Sequence, residues 1–482
     1  MKLSFHGAAR TVTGSKHLIT LDNGTKILLD CGLFQGMGQK TAELNESFGF
    51  DPASIQFLLL SHAHIDHSGL IPKLVREGFK GKIICTRATC ELTEILLYDS
   101  AEIQLYETSR QNKSRGSDLL EPIAPLYTPE DVKASMLLFE TIEYDRALRI
   151  TPDVEIIYSN AGHLVGSASI VLTITENERP VTLAYSGDVG RYRSTLLQPP
   201  AAFSQADYII LESTYGNSMH EFGINTIDPL LKCIRETCIE GKGKLIIPAF
   251  SVGRTQEVLY ALNQLELEKR LPPLPYFVDS PLSKKATEVI KHHMENFNER
   301  LQNVLATDDD PFHFEGLKYV ETIEDSRKLE AFTEPCVIIS ASGTADAGRV
   351  RHHIYNAISG AENTILFVGY CQDQSLGGQL LSGKKMVHLF DEDCAVEARI
   401  SSLATMSAHG DRDDLLKFLS CQEASEVKNV FLVHGEHQTQ EAFAARLSLK
   451  EFSTVTIPSM HEEFELGVRA LETTENFTQK VA

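Results

Sequence analysis

Short apolar runs recur along the chain, many of them closed by a histidine, an acid or a glycine, and they predict strands that carry chemistry at their tips. Residues 1–30 pattern as a pair of strands joined at Asn23-Gly24, a dipeptide suited to a type I′ hairpin turn. The second of these, Lys26-Ile27-Leu28-Leu29, ends at Asp30-Cys31-Gly32. The run Ile55 to Leu60 reads as a buried strand that empties into Ser61-His62-Ala63-His64-Ile65-Asp66-His67. A helix follows, then strand Lys82-Ile83-Ile84-Cys85, then a long helix over 88–111. The polar stretch from there to Pro129, with Lys113-Ser114-Arg115-Gly116-Ser117, reads as a mobile surface loop. Strands return at Val154–Tyr158, before Gly162-His163, and at Ser169–Ile174. Two more, Val181–Tyr185 and Tyr208–Leu211, end in Ser186-Gly187-Asp188 and Glu212-Ser213-Thr214. Near the end, Asn429–Val433 is one more apolar strand, ending in His434.

The stretch after Leu60 is the most informative. It sets three histidines and an aspartate within six positions, and imidazole with carboxylate suits Zn²⁺, with Mn²⁺ or Fe²⁺ as alternatives. Four such groups on one short turn cannot all reach a single tetrahedral ion. In the extended phase of the turn His62 and His64 share a face, while Asp66 and His67 begin the next turn and point elsewhere. That suits two adjacent metals, each short of ligands that other strand tips must supply. Taken singly, His163 reads as an ordinary turn histidine and Asp188 as a turn acid. Beside the first turn, both read as ligands. Asp30, at another strand end, is placed to hydrogen-bond a ligating histidine from behind and fix its tautomer. His437 competes with His434, which the strand terminus favours.

Composition narrows the class. A chain of 482 residues, 42% hydrophobic, is a globular protein with room for two or three domains. No apolar run approaches a membrane span, and the first residues have no signal-peptide pattern. Nine cysteines without a Cys-x-x-Cys pair point to a reducing, cytoplasmic setting, with Cys85, Cys233 and Cys336 as small core residues. A net charge of −21 disfavours a broad nucleic-acid surface and leaves room only for a local basic cleft.

With these residues in place the resemblance is specific. His62-Ala63-His64-Ile65-Asp66-His67, followed by His163 and Asp188, resembles the metallo-β-lactamase fold, a four-layer αβ/βα sandwich. Glu212-Ser213-Thr214-Tyr215-Gly216, Ser407-Ala408-His409-Gly410-Asp411 and Val433-His434-Gly435-Glu436 resemble motifs A, B and C of the β-CASP nucleases. Pro248 to Glu257 and Val278 to Leu282 are similar to segments of the inserted β-CASP domain. The likeness covers nearly the whole chain. It is close to the bacterial and archaeal RNA nucleases related to the eukaryotic cleavage-and-polyadenylation endonuclease, without the N-terminal KH domains of the archaeal forms. It implies an α/β protein in three parts: residues 1–216, an insertion at 217–405, and a return to the first domain at 406–482.

The resemblance also implies the site. One Zn²⁺ would take His62, His64 and His163, the other Asp66, His67 and His434, with Asp188 bridging. Water activated there would attack phosphorus, with Asp66 and Asp188 counted among the catalytic groups. His409 would protonate the departing ribose oxygen, oriented by Glu212, whose charge raises the imidazole's pKa. The implied substrate is single-stranded RNA, cut as an endonuclease, a 5′–3′ exonuclease or both, in RNA processing or decay; a homodimer is allowed.

The insertion reads by itself as alternating helices and strands, hence a parallel sheet, with helices at 226–240 and 254–268 flanking strand Lys244–Pro248. Its turns at Ser340–Thr344 and Gly369–Gly378 are candidate phosphate cradles. Arg254, Ser342, Gly343, Arg349, Ser375 and Gly377 are the candidate contacts there. The resemblance is incomplete at Gln379, where relatives carry a basic residue, and at Thr344, where they carry Met. Two other readings compete. A hydrolase of the same fold acting on DNA or on a small ester or lactone would not need the long insertion, in the ester case. A non-catalytic scaffold would have eroded ligands. RNA over DNA rests on the resemblance at His434.

Overall fold

The computed structural model describes residues 1–114, 122–176, 179–220, 227–403 and 406–467. Two seven-stranded sheets lie face to face. The first carries Lys2–Phe5 (β1), His17–Thr20 (β2), Lys26–Leu29 (β3), Phe57–Leu59 (β4), Lys82–Thr86 (β5) and Phe139–Ile142 (β6), with the late strand Glu463–Glu465 beside β1. The second carries Leu148–Thr151 (β7), Val154–Asn160 (β8), Ala168–Glu176 (β9), Arg179–Tyr185 (β10) and Tyr208–Glu212 (β11), extended past β11 by Asn429–Val433 and Val455–Thr456. Phe5, Ile27, Leu29, Leu59 and Ile84 of one sheet meet Tyr158, Ile170, Leu172, Tyr185 and Phe431 of the other in a shared core. Such doubly buried strands read as continuous apolar runs.

The outer faces are covered as well. Leu28, Leu58 and Ile83 pack under the helices Ile71–Arg76, Arg87–Ser114 and Pro129–Met136. Ile209, Leu211, Val430 and Leu432 pack under Arg412–Phe418 and His437–Ser448. The four layers run αβ/βα, the order expected.

The insertion has its own six-stranded sheet. Along the chain its strands are Leu245–Pro248 (β12), Tyr276–Asp279 (β13), Leu317–Tyr319 (β14), Val337–Ser340 (β15), Thr364–Phe367 (β16) and Arg399–Ser402. Every pairing in that sheet is parallel. Apolar clusters cover both faces, and one of them also takes in Ala63, Leu92, Leu164 and Val165 from the first part of the chain.

Local differences from the sequence reading have plain causes. Residues 1–30 hold three strands, because His6 to Lys16 break from β1 into a loop with Ala8 and Arg10 in left-handed conformation. The turn at Asn23-Gly24 spans five residues: Thr20 pairs with Lys26, Gly24 alone has positive φ, and Asn23 uses its side chain to accept from the Thr25 N–H. A type I′ turn needs two residues at positive φ. The helix expected at 226–240 runs as Ile227–Ile234 and continues through a π-type turn to Glu240. Within the polar stretch, Thr128 caps an extra helix, Pro129–Met136, through a reciprocal box with Asp131. Residues 115–121 and the tail from about 471 lie outside the described residues.

Candidate functional site

The strand tips converge at one edge of the sandwich. β4 delivers His62 and His64, the short helix Ile65–Ser68 delivers Asp66 and His67, the turn after β8 delivers His163, β10 delivers Asp188, and Asn429–Val433 delivers His434. His62, His64, His163 and Asp188 bring one ligand atom each within 4.8 Å of one another, and so do Asp66, His67 and His434. His64 Nδ1 faces His62 Nε2 at 3.1 Å and His163 Nε2 at 3.2 Å. His434 Nε2 lies 3.2 Å from Asp66 Oδ2. Asp188 sits between the two sets, with Oδ2 3.5 Å from His62 and His163 and Oδ1 3.3 Å from His67.

The neighbours behind these rings assign their tautomers. The Ser61 hydroxyl donates to Asp30 at 2.7 Å, so it accepts from His62 Nδ1 at 3.0 Å. His67 Nδ1 donates to Asp30 at 2.7 Å, and Tyr185 donates to the same carboxylate oxygen at 2.6 Å. The Thr214 hydroxyl donates to Glu212 at 2.7 Å and so accepts from His434 Nδ1 at 3.0 Å. Each of the three rings is thereby left with its Nε2 lone pair turned toward carboxylates and other imidazoles. Lone pairs and anions so arranged repel unless a cation lies between them.

The electrostatics agree. Burial holds His62 and His163 well below the ordinary imidazole range and lowers His64 to about 4. Burial opposes charge on His67 too, yet Asp188, Asp66 and Asp30 outweigh it and hold that ring well above its usual value, so these carboxylates favour positive charge at its Nε2, whether a proton or a metal cation. Burial would raise the Asp188 carboxyl, but the imidazoles of His434, His67 and His62 hold it well below. Asp188 Oδ1 is buried and accepts no hydrogen bond. The residues present fit divalent transition cations in borderline N/O coordination.

His409 stands at the edge of this cluster. Its Nδ1 lies 3.1 Å and 3.3 Å from the two Glu212 oxygens, and its ring centroid is 4.5 Å from that of His163. Burial disfavours its charge, but Glu212 and Asp188 outweigh that and raise its pKa. Glu212 is fully buried and also accepts from the Val189 and Thr214 N–H groups. The strand-end conformation is unusual at two positions: Asp30 and His434 both have positive φ, 57° and 49°. His434 is held there by its N–H to Ala8 O at 2.8 Å. Left-handed backbone at a non-glycine residue recurs at functional sites.

Four supporting residues were not read from the sequence. Thr214 and Ser61 adjoin motif residues and carry hydroxyls, which is the only signal they give. Tyr185 gave none. His220 braces the segment of His409: its Nε2 is 3.0 Å from His409 O, and its N–H donates to Asp411 at 3.0 Å. His437 lies apart from the cluster, half exposed and paired with Glu441.

The candidate phosphate contacts fare differently. The Ser375 hydroxyl is spent capping its own helix, and the N–H groups of Ser375, Leu376, Gly377 and Gly378 are all bonded within the insertion. The Ser342 hydroxyl and N–H both turn to Ala347. Arg349 is committed to Asp279 at 2.7 Å and to the carbonyls of Val320 and Glu321. Arg254 is buried and paired with Glu257. Gly343 lies beneath the Phe250 ring, where a Cβ would come within 2.7 Å, and that ring is 6.4 Å from His64. Of the six, Gly343 borders the cluster through Phe250, and Arg254 lies near enough for its charge to act on His163.

Two stacked sheets with histidines and acids at one edge, and a parallel α/β unit inserted between the last two strands of that edge, define a metallo-β-lactamase-fold protein with a β-CASP insertion. Residues 13–213 match the metallo-beta-lactamase superfamily, 255–380 the Beta-Casp domain, and 393–458 the Zn-dependent metallo-hydrolase RNA specificity domain. The chain belongs to the β-CASP family of this fold. It is 34% identical to Ribonuclease TTHA0252 of Thermus thermophilus over 93% of this chain and 96% of that protein. It is 28% identical to an RNase J-like protein of Methanocaldococcus jannaschii over 95% and 97% of the two chains. Transcription termination factor FttA of the same archaeon is 30% identical over 92% of this chain and 68% of its own length.

Proposed function

We propose that the chain is a ribonuclease that hydrolyses phosphodiester bonds of single-stranded RNA. In this reading His62, His64 and His163 hold one divalent cation, Asp66, His67 and His434 a second, and Asp188 is shared. Zinc is the first choice, with Mn²⁺ or Fe²⁺ as alternatives. When bound, such cations lower the pKa of water and neutralise charge on phosphate oxygens. The protein's own groups do the rest. Asp30, Ser61 and Thr214 keep three imidazoles in the ligating tautomer. Glu212 accepts from His409 Nδ1 and favours the protonated ring, so that Nε2 can give its proton to the departing ribose oxygen.

The observation that carries the reading is the meeting of two donor sets around Asp188 with the His409–Glu212 pair beside it. RNA as the polymer is supported by the match to an RNA specificity domain over 393–458 and by relatives named as ribonucleases. In this reading the chain divides at about 216 and 405, and the substrate passes between the sandwich and the insertion. No helix of the described residues is long and apolar enough to cross a membrane.

The test is incubation of zinc-loaded protein with end-labelled RNA and DNA oligomers bearing 5′-phosphate or 5′-hydroxyl ends. RNA products that fail to form with EDTA present are expected. Cleavage of DNA alone, or of neither polymer while a small ester is turned over, would overturn the assignment.

A further inference from the structure

The loop that carries His163 is held from two sides. Gly166 O accepts from Thr86 Oγ1 at 2.7 Å and Thr89 Oγ1 at 2.8 Å, both on the sandwich. The Gly166 N–H instead donates 3.1 Å across to Asn296 Oδ1, which belongs to the insertion and lies 130 residues further along the chain. Ser167 closes the loop on itself: its hydroxyl accepts from the N–H groups of His163 and Leu164, each at 3.1 Å. Tyr144 ties the two anchors together, placing its hydroxyl 2.9 Å from Ser167 O and 3.4 Å from Asn296 Oδ1.

Asn296 is well placed for this task. It is buried, and its amide orientation is set because Nδ2 donates to His293 O and Glu295 Oε1, both at 3.3 Å. Its backbone is pinned to the sandwich by Gln198 N–H to Asn296 O at 3.0 Å, and Gln198 Nε2 reaches Glu295 O at 2.9 Å. The side chains on either side of the loop obey the same logic. Leu164 and Val165, immediately after His163, are buried in the apolar cluster of the insertion. Without the insertion docked, the His163 loop would lose its apolar seat and the one acceptor for Gly166 N–H.

We propose that Asn296 is a positioning residue through which docking of the insertion sets the place of His163, so that cation affinity at His62, His64 and His163 depends on it. This rests on the ribonuclease reading only in taking those three histidines as ligands. Partners behind a metal-binding histidine are worth about 10–100-fold in metal affinity.

The test is zinc affinity measured by chelator competition on the full-length protein. Asn296→Leu has room to fold, since a cavity of about 580 Å³ borders Tyr144, Gly166 and Asn296. It is expected to weaken binding at least tenfold, toward the level of His163→Ala. Asn296→Asp combined with Glu295→Gln keeps an acceptor for Gly166 and Tyr144 without setting two carboxylates against each other, and should recover most of that loss. Gln198→Ala breaks a neighbouring interdomain bond without touching the loop and should bind like wild type. Wild-type affinity in Asn296→Leu, a double variant as weak as the Leu variant, or an equal loss in Gln198→Ala would each overturn the proposal. Wild-type protein that binds no zinc would sink the ribonuclease reading itself, a different result.

Discussion

At the scale of single residues, the site is a set of histidines, three of which (His62, His67 and His434) have the outer nitrogen committed elsewhere. Asp30 receives Ser61, His67 and Tyr185 at once, and Thr214 relays between Glu212 and His434. The acids and histidines of this network were legible in the sequence, because a hydrophobic strand seldom ends in uncompensated charge. The hydroxyls were not, since a serine or threonine in a turn is ordinary. His409 is where chemistry and coordination part company. His409→Ala should keep zinc at the wild-type level while kcat falls about 10²–10⁴-fold, the usual worth of general acid catalysis. Loss of metal in that variant would show that the ring is a ligand instead.

At the scale of elements, strand tips carry most of the ligand candidates, and the short helix Ile65–Ser68 carries Asp66 and His67. The helix Arg412–Phe418 begins right after His409-Gly410, and its Asp411 cap accepts from the N–H groups of Asp413, Asp414 and His220. One side chain thus fixes both the helix start and the segment that presents the general acid. Asp411→Ala should cost about 1–2 kcal/mol of stability in denaturant melts, with Asp411→Asn recovering most of it. No change on substitution to alanine would mean the cap is redundant with His220. Strands were the readiest elements to see, because their apolar runs are buried on both sides. Loops with glycine and charge were read too simply: the break after β1 and the Thr128 box both had their signals, a Gly-Ala-Ala run and Thr-Pro-Glu-Asp, but no apolar period to announce them. Glycine-rich turns suggest free amides, but here the N–H groups of residues 375–378 are bonded to Gln372, Asp346, Thr344 and Ser375.

At the scale of the whole molecule, how the insertion seats on the sandwich was not legible in the sequence, because it depends on contacts such as Asn296 to Gly166. Buried charge also shows at this scale. Lys16 is fully buried, donates to the carbonyls of Gly14 and Gly32 at 2.8 Å each, and is pushed down to about 7 by burial. The unfolded chain therefore holds a proton that the folded chain has shed between pH 7 and about 10.5, so this group makes stability rise with pH across that window. Lys16→Met should flatten the rise, read as Tm against pH relative to wild type. An unchanged slope would mean that Lys16 stays charged against the Phe34 ring 4.2 Å away. The central claim is that strand tips from opposite halves of the sandwich bind a pair of cations, and elemental analysis of dialysed protein tests it most directly. The account predicts about two zinc ions per chain in wild type and about one in His434→Ala. Trace metal in wild type, or the same content in both proteins, would contradict it.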